Sequence, residues 1–504
     1  MALWLALILP ALPLQLAERA IDGTLPLAIV EGAPQRLAVI HCNATAQAAG
    51  VTPGMKLAAA QALARELIAL ERHPERERAA LEELAGWAYQ FSSHVVLQCD
   101  GLLLETGSSE RLFGGRTPLH RAITTGLAEL GYRAACAYAA APRTARVLAI
   151  SARVHTDQRQ RALSPGPSPL AGEAELQRLP IGCLEWDAAT HETLCALGLA
   201  TIGDLLRLPR DAFARRFGAE GLEDLDRALG LLADPQPLYE PPAHFHAQLE
   251  LPADFSETAQ LMFPARRLLA SLEGFLRGRN AGATQLRFSA RHSERRSLPV
   301  PPTVVALALA APERDAKRLA ALLTERLARV TLPAPAITLA LTVDQLHPFT
   351  ACNASLLPPA HDASLGSDWL QLAETLHARL GSERVFQLQA VDDHRPERAW
   401  RAVPLSIDGN DEAKTPALQS QPRPLLLLPT PQPLPVQHDQ PLYHEALTLV
   451  TGPERIECGW WDLGAGANAV HRDYFVAHNG RGQWLWVFRE LAAPHGWFLH
   501  GLFA

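Results

Sequence analysis

The chain is poor in the features that mark exported, zinc-bound or membrane-spanning proteins. No charged or polar side chain lies between Ala2 and Leu14 of the opening MALWLALILPALPLQLAER. A secretory signal would place basic residues ahead of such a run, and none is there, while Pro10 and Pro13 interrupt it. A membrane-spanning helix needs about 20 apolar residues and tolerates interior proline badly. The run is expected instead to be a strand buried on both faces, as in the middle of an open sheet. The seven cysteines (Cys42, Cys99, Cys136, Cys183, Cys195, Cys352, Cys458) are odd in number and form no CxxC pair. That argues against a disulfide framework and a zinc cluster, and points to a reducing, cytoplasmic setting. Lysine is nearly absent, with only Lys56, Lys317 and Lys414, so almost every positive charge is an arginine; no functional weight rests on that bias. The net charge of -7 argues against a generally nucleic-acid-coated surface and leaves room for a local basic face.

What is present is a long, globular chain. Its 504 residues, 48% of them hydrophobic, exceed one core and call for about three or four domains. From Pro26 to about Ile150, strand-like runs (LAVIHC, SHVVLQCDGLLLE, RAACAYAA) alternate with helical stretches (KLAAAQALARELIALERH, LHRAITTGLAELG), a pattern for a central sheet with helices. The turn-rich SPGPSPLAGEA from Ser164 to Ala174 reads as a boundary. Short helices follow over 175–240, with Leu194, Leu197, Leu199, Ile202, Leu205 and Leu206 expected to fill a small core. A third unit over 243–348 mixes strands and helices. In its AITLALTV strand, Ile337, Leu339, Leu341 and Val343 alternate with Thr338, Ala340 and Thr342, which leaves one face of the sheet for a ligand. Residues 349–441 are proline-rich and read mostly as linker with one helix at DWLQLAETLHARLG. Residues 442–504 are aromatic-rich, carry an Asn479-Gly480 turn between two strands, and read as a small β module that docks a partner.

The stretch HCNATAQAAGVTPGMKLAAAQAL resembles the fingers of Y-family translesion DNA polymerases, with Cys42, Asn43, Ala46, Gly50, Val51 and Met55 on the family pattern. LLLETGSSERLFGG resembles the palm segment that follows the catalytic acids, and LCALGLATIGDLLRLP resembles the second helix-hairpin-helix of the thumb. The resemblance implies an α+β right hand. Its palm would cover 1–165 with fingers inserted at about 18–80, its thumb 175–240, and its little finger 243–348, followed by linker and C-terminal module.

The departures from the family are as informative as the matches. Its polymerases hold two magnesium ions about 3.5 to 4 Å apart with carboxylate oxygens. The resemblance places the acidic positions at about Leu9, Ala11 and Cys99, none of them acidic, and leaves Asp100 as a residual carboxylate; no Asp or Glu precedes Glu18. It places the triphosphate contacts at Ala44 and Gln47, where an arginine's charge-assisted contact of about 1.5–3 kcal/mol is lost. Catalysis, metal binding and cofactor binding are therefore not expected. With the tail segments DHRPERAWR and HRDYFVAHNGRGQWLWVFRE, the chain resembles the polymerase-like accessory subunits of the bacterial mutasome. That resemblance implies an SOS-induced adaptor that binds the sliding clamp, the RecA-like partner ImuA and an error-prone C-family polymerase, with no membrane partner.

Three further surfaces are candidates. Arg266, Arg267, Arg277, Arg279, Arg287 and Arg291 form a local basic excess that either tracks a DNA backbone, weakly and without sequence preference, or is a solvated helix face. Gly198 and Gly203 of the hairpin are candidates to offer amides to a phosphate. A clamp-binding peptide of the form Gln-x-x-Leu-Phe has two near matches: Gln345, Leu346 and Phe349 beside the last strand, and Asn353, Ser355, Leu356 and Leu357 in the linker. The second is slightly favoured because a docking peptide must be free. The C-terminal aromatics Trp460, Trp461, Tyr474, Phe475, Trp484, Trp486, Phe488, Trp497 and Phe498 serve either as a stacking platform for single strands or as the core of a small β module; the core is favoured.

Overall fold

The opening apolar run is a strand, Trp4–Ile8, inside a four-stranded antiparallel sheet. Gly101–Glu105 pairs on one side of it and Ala135–Ala139 on the other, with Val95–Gln98 outermost. Leu5 and Leu7 pack under the helices Pro74–Ala88 and Arg116–Glu129, while Ala6 and Ile8 pack against Pro142–Gln158. A strand covered on both faces has no place for a polar alternation, and this one is apolar throughout. The computed structural model describes residues 2–21, 25–158, 173–293, 300–349, 363–381, 384–403, 423–459 and 469–503. They form two units, Met1–Arg379 and Leu380–Ala504.

After Pro10, Ala11 at φ 49° turns the chain into the helix Leu12–Glu18. A separate three-stranded sheet follows, with Leu27–Glu31 between Ala38–Cys42 and Ile68–Glu71. Here the structure departs from the expected single helix over KLAAAQALARELIALERH. The helix stops at Leu63, and Ile68–Glu71 joins the sheet parallel to Leu27–Glu31. A short apolar run fits either state, and pairing with a buried strand decides it.

The short helices over Ala188–Ala196, Ile202–Leu206, Arg210–Phe217 and Ala219–Ala228 share one core with the palm helix Pro142–Gln158. Leu194, Ile202 and Leu205 are buried in it, and Leu199 and Leu206 pack at its edge. Leu197, expected inside, is 48% exposed, because it caps its helix just before the left-handed Gly198.

A four-strand antiparallel array follows in the order Thr303–Glu313, Ala281–His292, Ala336–Val343, Phe245–Phe255, and the helices Met262–Gly278 and Ala316–Leu327 cover one face. The predicted alternation holds for Leu339, Leu341 and Val343. A bulge between Ala336 and Thr338 puts Ala336 in the core and Ile337 out of it. The face that these two helices leave uncovered is polar: His246, Gln248 and Glu250 lie beside Thr342, Ala340 and Thr338, then Arg287, Ser289 and Arg291; at one end Thr338 is buried and Glu250 pairs with Arg76 of Pro74–Ala88.

This array is seated on the palm by very close packing. A Cβ on Gly274 would overlap the Trp87 indole, and one on Gly126 would strike the same ring from the other side. Arg267 donates to the carbonyl of Glu18 at 3.1 Å, and Arg279 donates to the carbonyl of Pro241. Beyond it, the helix Ala363–Leu380 lays Ala373 and Ala378 inward and pairs Glu374 with Arg318.

The second unit contains a hairpin, Gln387–Ala390 with Trp400–Val403, and a five-stranded antiparallel sheet. The sheet order is Leu426–Leu434, Gly496–Leu502, Trp484–Glu490, Val470–His478, Thr448–Cys458. Leu426–Leu434 lies in the stretch expected to be linker. Its prolines are compatible with an edge strand, which is where it sits. The expected turn at Asn479-Gly480 is a longer connector, in which the Asn479 side chain accepts from the amides of Arg481 and Gln483. Tyr474, Trp486, Phe488 and Trp497 are buried, Phe475 and Phe498 half-buried, and Trp484 exposed. Trp460 and Trp461 lie outside the described residues. No helix among the described residues is long and apolar enough to cross a membrane.

His500 is 1% exposed, with the Tyr474 hydroxyl 2.8 Å from Nδ1, Glu397 4.0 Å from Nε2 and the Trp486 ring stacked on it. Burial lowers its pKa; Glu397 opposes that and Arg472 adds to it. A histidine depressed in the fold takes up its proton more readily when unfolded, so its contribution is full above the ordinary value of about 6.5 and is lost as pH falls below that. The second unit is therefore expected to lose stability as pH falls below about 6.5. His500→Gln should flatten that slope in urea titrations followed by tryptophan fluorescence.

Candidate functional site

The end of the first strand and the turn between Val95–Gln98 and Gly101–Glu105 meet, with the Leu9 amide donating to the carbonyl of Asp100 at 2.8 Å. Leu9, Cys99 and Asp100, three of the positions where the resemblance places acids, are thus neighbours. Leu9 is buried and Cys99 exposed. Gly101 settles what a second acid could do here, since any Cβ at that position would overlap the carbonyl of Leu7. Position 101 thus admits no side chain, a carboxylate included.

The Asp100 carboxylate is already engaged. Arg146, from the palm helix, donates Nη1 to Asp100 Oδ1 at 2.8 Å, and Nε and Nη2 to Glu185 Oε2 at 3.0 and 2.7 Å. Its Nη2 also lies 3.7 Å from Cys99 Sγ, and Arg153 approaches Asp100 Oδ2 at 3.6 Å. The Arg146 side chain is 7% exposed. Burial works against its charge, but Asp100 and Glu185 outweigh burial and raise its pKa. A guanidinium offers five donors in a fixed fork and suits two carboxylates at once. Magnesium would have to displace it from both carboxylates and would still need further oxygens to complete an octahedral shell.

The same helix pins the thumb at two further points. Arg143 donates to the Leu184 carbonyl at 2.6 Å and to Asp224 at 2.8 Å, where the Trp186 indole also donates; Thr144 donates to the Ala228 carbonyl at 2.7 Å. Sequence inspection missed Arg146, Arg143 and Glu185. The pattern R-T-A-R at a helix start was visible, but the partners are 39 to 81 residues away.

The fingers positions are occupied by structural contacts. The Asn43 side chain accepts from the amides of Leu27 and Ala46 and donates to the carbonyl of Leu25, which caps the helix Ala44–Ala48. Gln47 donates to the carbonyl of Cys42 at 3.1 Å. Gly203 lies against the carbonyl of Gln177, where a Cβ would come within 2.8 Å, so helix packing accounts for it; Gly198, at φ 78°, has open space around it.

The six arginines do not form one surface. Arg266, Arg267, Arg277 and Arg279 belong to the helix side of the little-finger sheet, Arg287 and Arg291 to the uncovered face. Arg267 and Arg279 are held by backbone carbonyls and lie over the rings of Phe263 and Phe275, and Arg277 pairs with Glu273 at 2.5 Å. Arg287 reaches Asp344 at 3.2 Å at the surface, and Arg291 donates to Thr338 at 3.0 Å. Of the two peptide candidates, Gln345, Leu346 and Phe349 lie along the little finger. Asn353, Ser355, Leu356 and Leu357 lie outside the described residues.

Fold and site together define a protein built on the Y-family polymerase hand, with a β-rich unit added at its C-terminal end. Residues 15–149 match the family model described as impB/mucB/samB. A curated relative, Protein ImuB of Caulobacter vibrioides, is 30% identical over 480 residues, 90% of this chain and 100% of the relative, and the same holds for the protein of a second strain. Solved structures that match include an insertion ternary complex of Dbh DNA polymerase (15% identity, TM-score 0.37, 68% of this chain and 99% of that one). DinB from Sulfolobus solfataricus also matches (15%, 0.35, 69% and 100%). The chain belongs to the ImuB family.

Arg146→Met would leave Asp100 and Glu185 without their shared cation, which is expected to cost about 3–5 kcal/mol of folding stability. Adding Asp100→Asn and Glu185→Gln should return most of that loss. Urea denaturation of the single and triple variants measures both.

Proposed function

We propose that the protein is a non-catalytic adaptor of SOS-induced translesion DNA synthesis. It links the sliding clamp, the RecA-like ImuA protein and an error-prone C-family polymerase, and the last of these performs the synthesis. The observation that carries the non-catalytic part is the Arg146 guanidinium bound between Asp100 and Glu185 beside Leu9. A two-metal phosphoryl transfer site stabilises attacking and leaving oxygens through paired cations. At this sheet end the charges of Asp100 and Glu185 are met by Arg146 and Arg153, so nothing in that group of four attracts a magnesium-bound triphosphate. The partner set rests on family resemblance.

DNA contact in this reading is made by the uncovered face of the little-finger sheet. It bears Thr342, Ser289 and Gln248 beside His246 and Glu250, and carries Arg287 and Arg291 on one strand, four residues apart. Such a face neutralises phosphates without reading bases, giving binding that weakens steeply with salt. Arg287→Ala with Arg291→Ala should weaken binding to primed DNA equally across sequences and lower the salt slope by about 1 per lost contact. Arg279→Ala should change the slope little, since its guanidinium is turned to Pro241 and Phe275.

The deciding experiment is primer extension on a damaged template with magnesium or manganese. The protein alone is expected to add no nucleotide, and to stimulate the C-family polymerase when clamp is present. Incorporation by the protein alone, abolished by Asp100→Ala, would establish the competing reading of an active Y-family polymerase.

A further inference from the structure

The peptide Gln345 to Phe349 keeps the glutamine and phenylalanine of a clamp-binding segment, but it is not free in this structure. His347 and Pro348 pair antiparallel with Gly282 and Ala281, which makes the peptide a short extra strand on Ala281–His292. The Phe349 amide donates to the carbonyl of Asn280 at 3.1 Å. The Phe349 ring lies under the Arg314 guanidinium, 4.0 Å from ring centre to Cζ. Beneath it Gly282 supplies the room: a Cβ there would come within 3.0 Å of the ring and 2.8 Å of Pro312. Leu346 packs against the little-finger core, while Gln345 is exposed.

We infer that this is a latch: the little finger stores the clamp-binding peptide on its own sheet edge, and the peptide must leave Asn280 and Arg314 before it can enter a clamp groove. The inference rests on the proposed clamp-adaptor function. The same atoms cannot serve both states. An apolar groove that takes the aromatic ring of an extended peptide has to enclose that ring, and here one face of Phe349 is covered by Arg314 and its edge by Gly282. The exposed Gln345 leaves the leading end of the peptide available for first contact. Pro348, where the usual peptide has an aliphatic residue, lacks an amide, so the extra strand holds through few bonds and releases at low cost.

A latch taxes affinity by the fraction of molecules in which it is open. Removing a cation–π contact at a half-exposed site changes such an equilibrium by about two- to five-fold. Arg314→Ala in the full-length protein should therefore tighten binding to the purified sliding clamp by about that factor, while Phe349→Ala should weaken it at least about ten-fold, as loss of a hot-spot aromatic does. Hydrogen exchange supplies an independent readout: the Phe349 amide should exchange slowly in the free protein, faster in Arg314→Ala, and faster still once clamp is added to the natural sequence. If Phe349→Ala weakens binding but Arg314→Ala leaves both affinity and exchange unchanged, the latch is wrong and the peptide's role as clamp ligand stands. If Phe349→Ala leaves clamp affinity unchanged, this peptide is not the ligand, and the latch is overturned with it. Protection of the Phe349 amide that persists at saturating clamp would also overturn the latch, since the bound peptide could not have left its strand.

Discussion

The Arg146 guanidinium lies where three parts of the hand meet: the palm turn through Asp100, its own helix, and the thumb through Glu185. A charge this deeply buried is tolerated only when paired and hydrogen-bonded, and taking away either side leaves an uncompensated ion. Breaking such a pair by removing one partner is costly, and here the pair joins the palm turn to the thumb. Arg143 and Thr144 make the arrangement redundant by reaching Asp224 and Ala228 from the same helix start. The thumb is therefore positioned by a polar seam over a shared apolar core, in which Val147 and Ile150 meet Ile181, Leu194 and Ile202.

Arginine has the same tying role elsewhere in the first unit. Arg19, 1% exposed, donates to the Leu130 carbonyl and the Tyr132 hydroxyl and lies over the Tyr132 ring. Arg267 and Arg279 bind carbonyls and cover phenylalanine rings in the same way. A planar, weakly hydrated cation can stack and donate at once, which an ammonium cannot do. In a chain with three lysines, local arginine density is therefore a poor guide to DNA contact. The cluster from Arg266 to Arg291 splits because a helix and a strand carry it to opposite sides of one sheet.

The elements legible in the sequence were those whose environment is uniform along their length. Trp4–Ile8 is buried on both faces and reads as a strand for that reason alone, and Leu339 to Val343 alternate because only one face is covered. Ile68–Glu71 could not be read locally, since its state is set by pairing with Leu27–Glu31, 41 residues earlier. The bulge at Ala336 displaced Ile337 because periodicity carries no record of an inserted residue. At the candidate site, the lack of any Asp or Glu before Glu18 was visible as letters, while the arginine held by Asp100 and Glu185 was not, because its two partners come from separate segments.

The residues that carried the family resemblance in the fingers turn out to be those that build its fold. Asn43 caps a helix and ties it to Leu25 and Leu27, Ala46 and Val51 are fully buried, Cys42 Sγ lies 3.4 Å from the Val51 carbonyl, Gly50 takes φ 94°, and Met55 packs beside them. Between these positions stand Ala44 and Gln47, where the resemblance implies contacts to a nucleotide; both are exposed, and Gln47 turns back to the Cys42 carbonyl. Packing and chemistry are separable in this segment because they use different residues, the first facing inward and the second outward. With the inward residues in place, the frame of strands and edges stands whatever chemistry the outward residues carry. For the proposed adaptor, docking a partner asks for such edges and faces and requires nothing of a metal site.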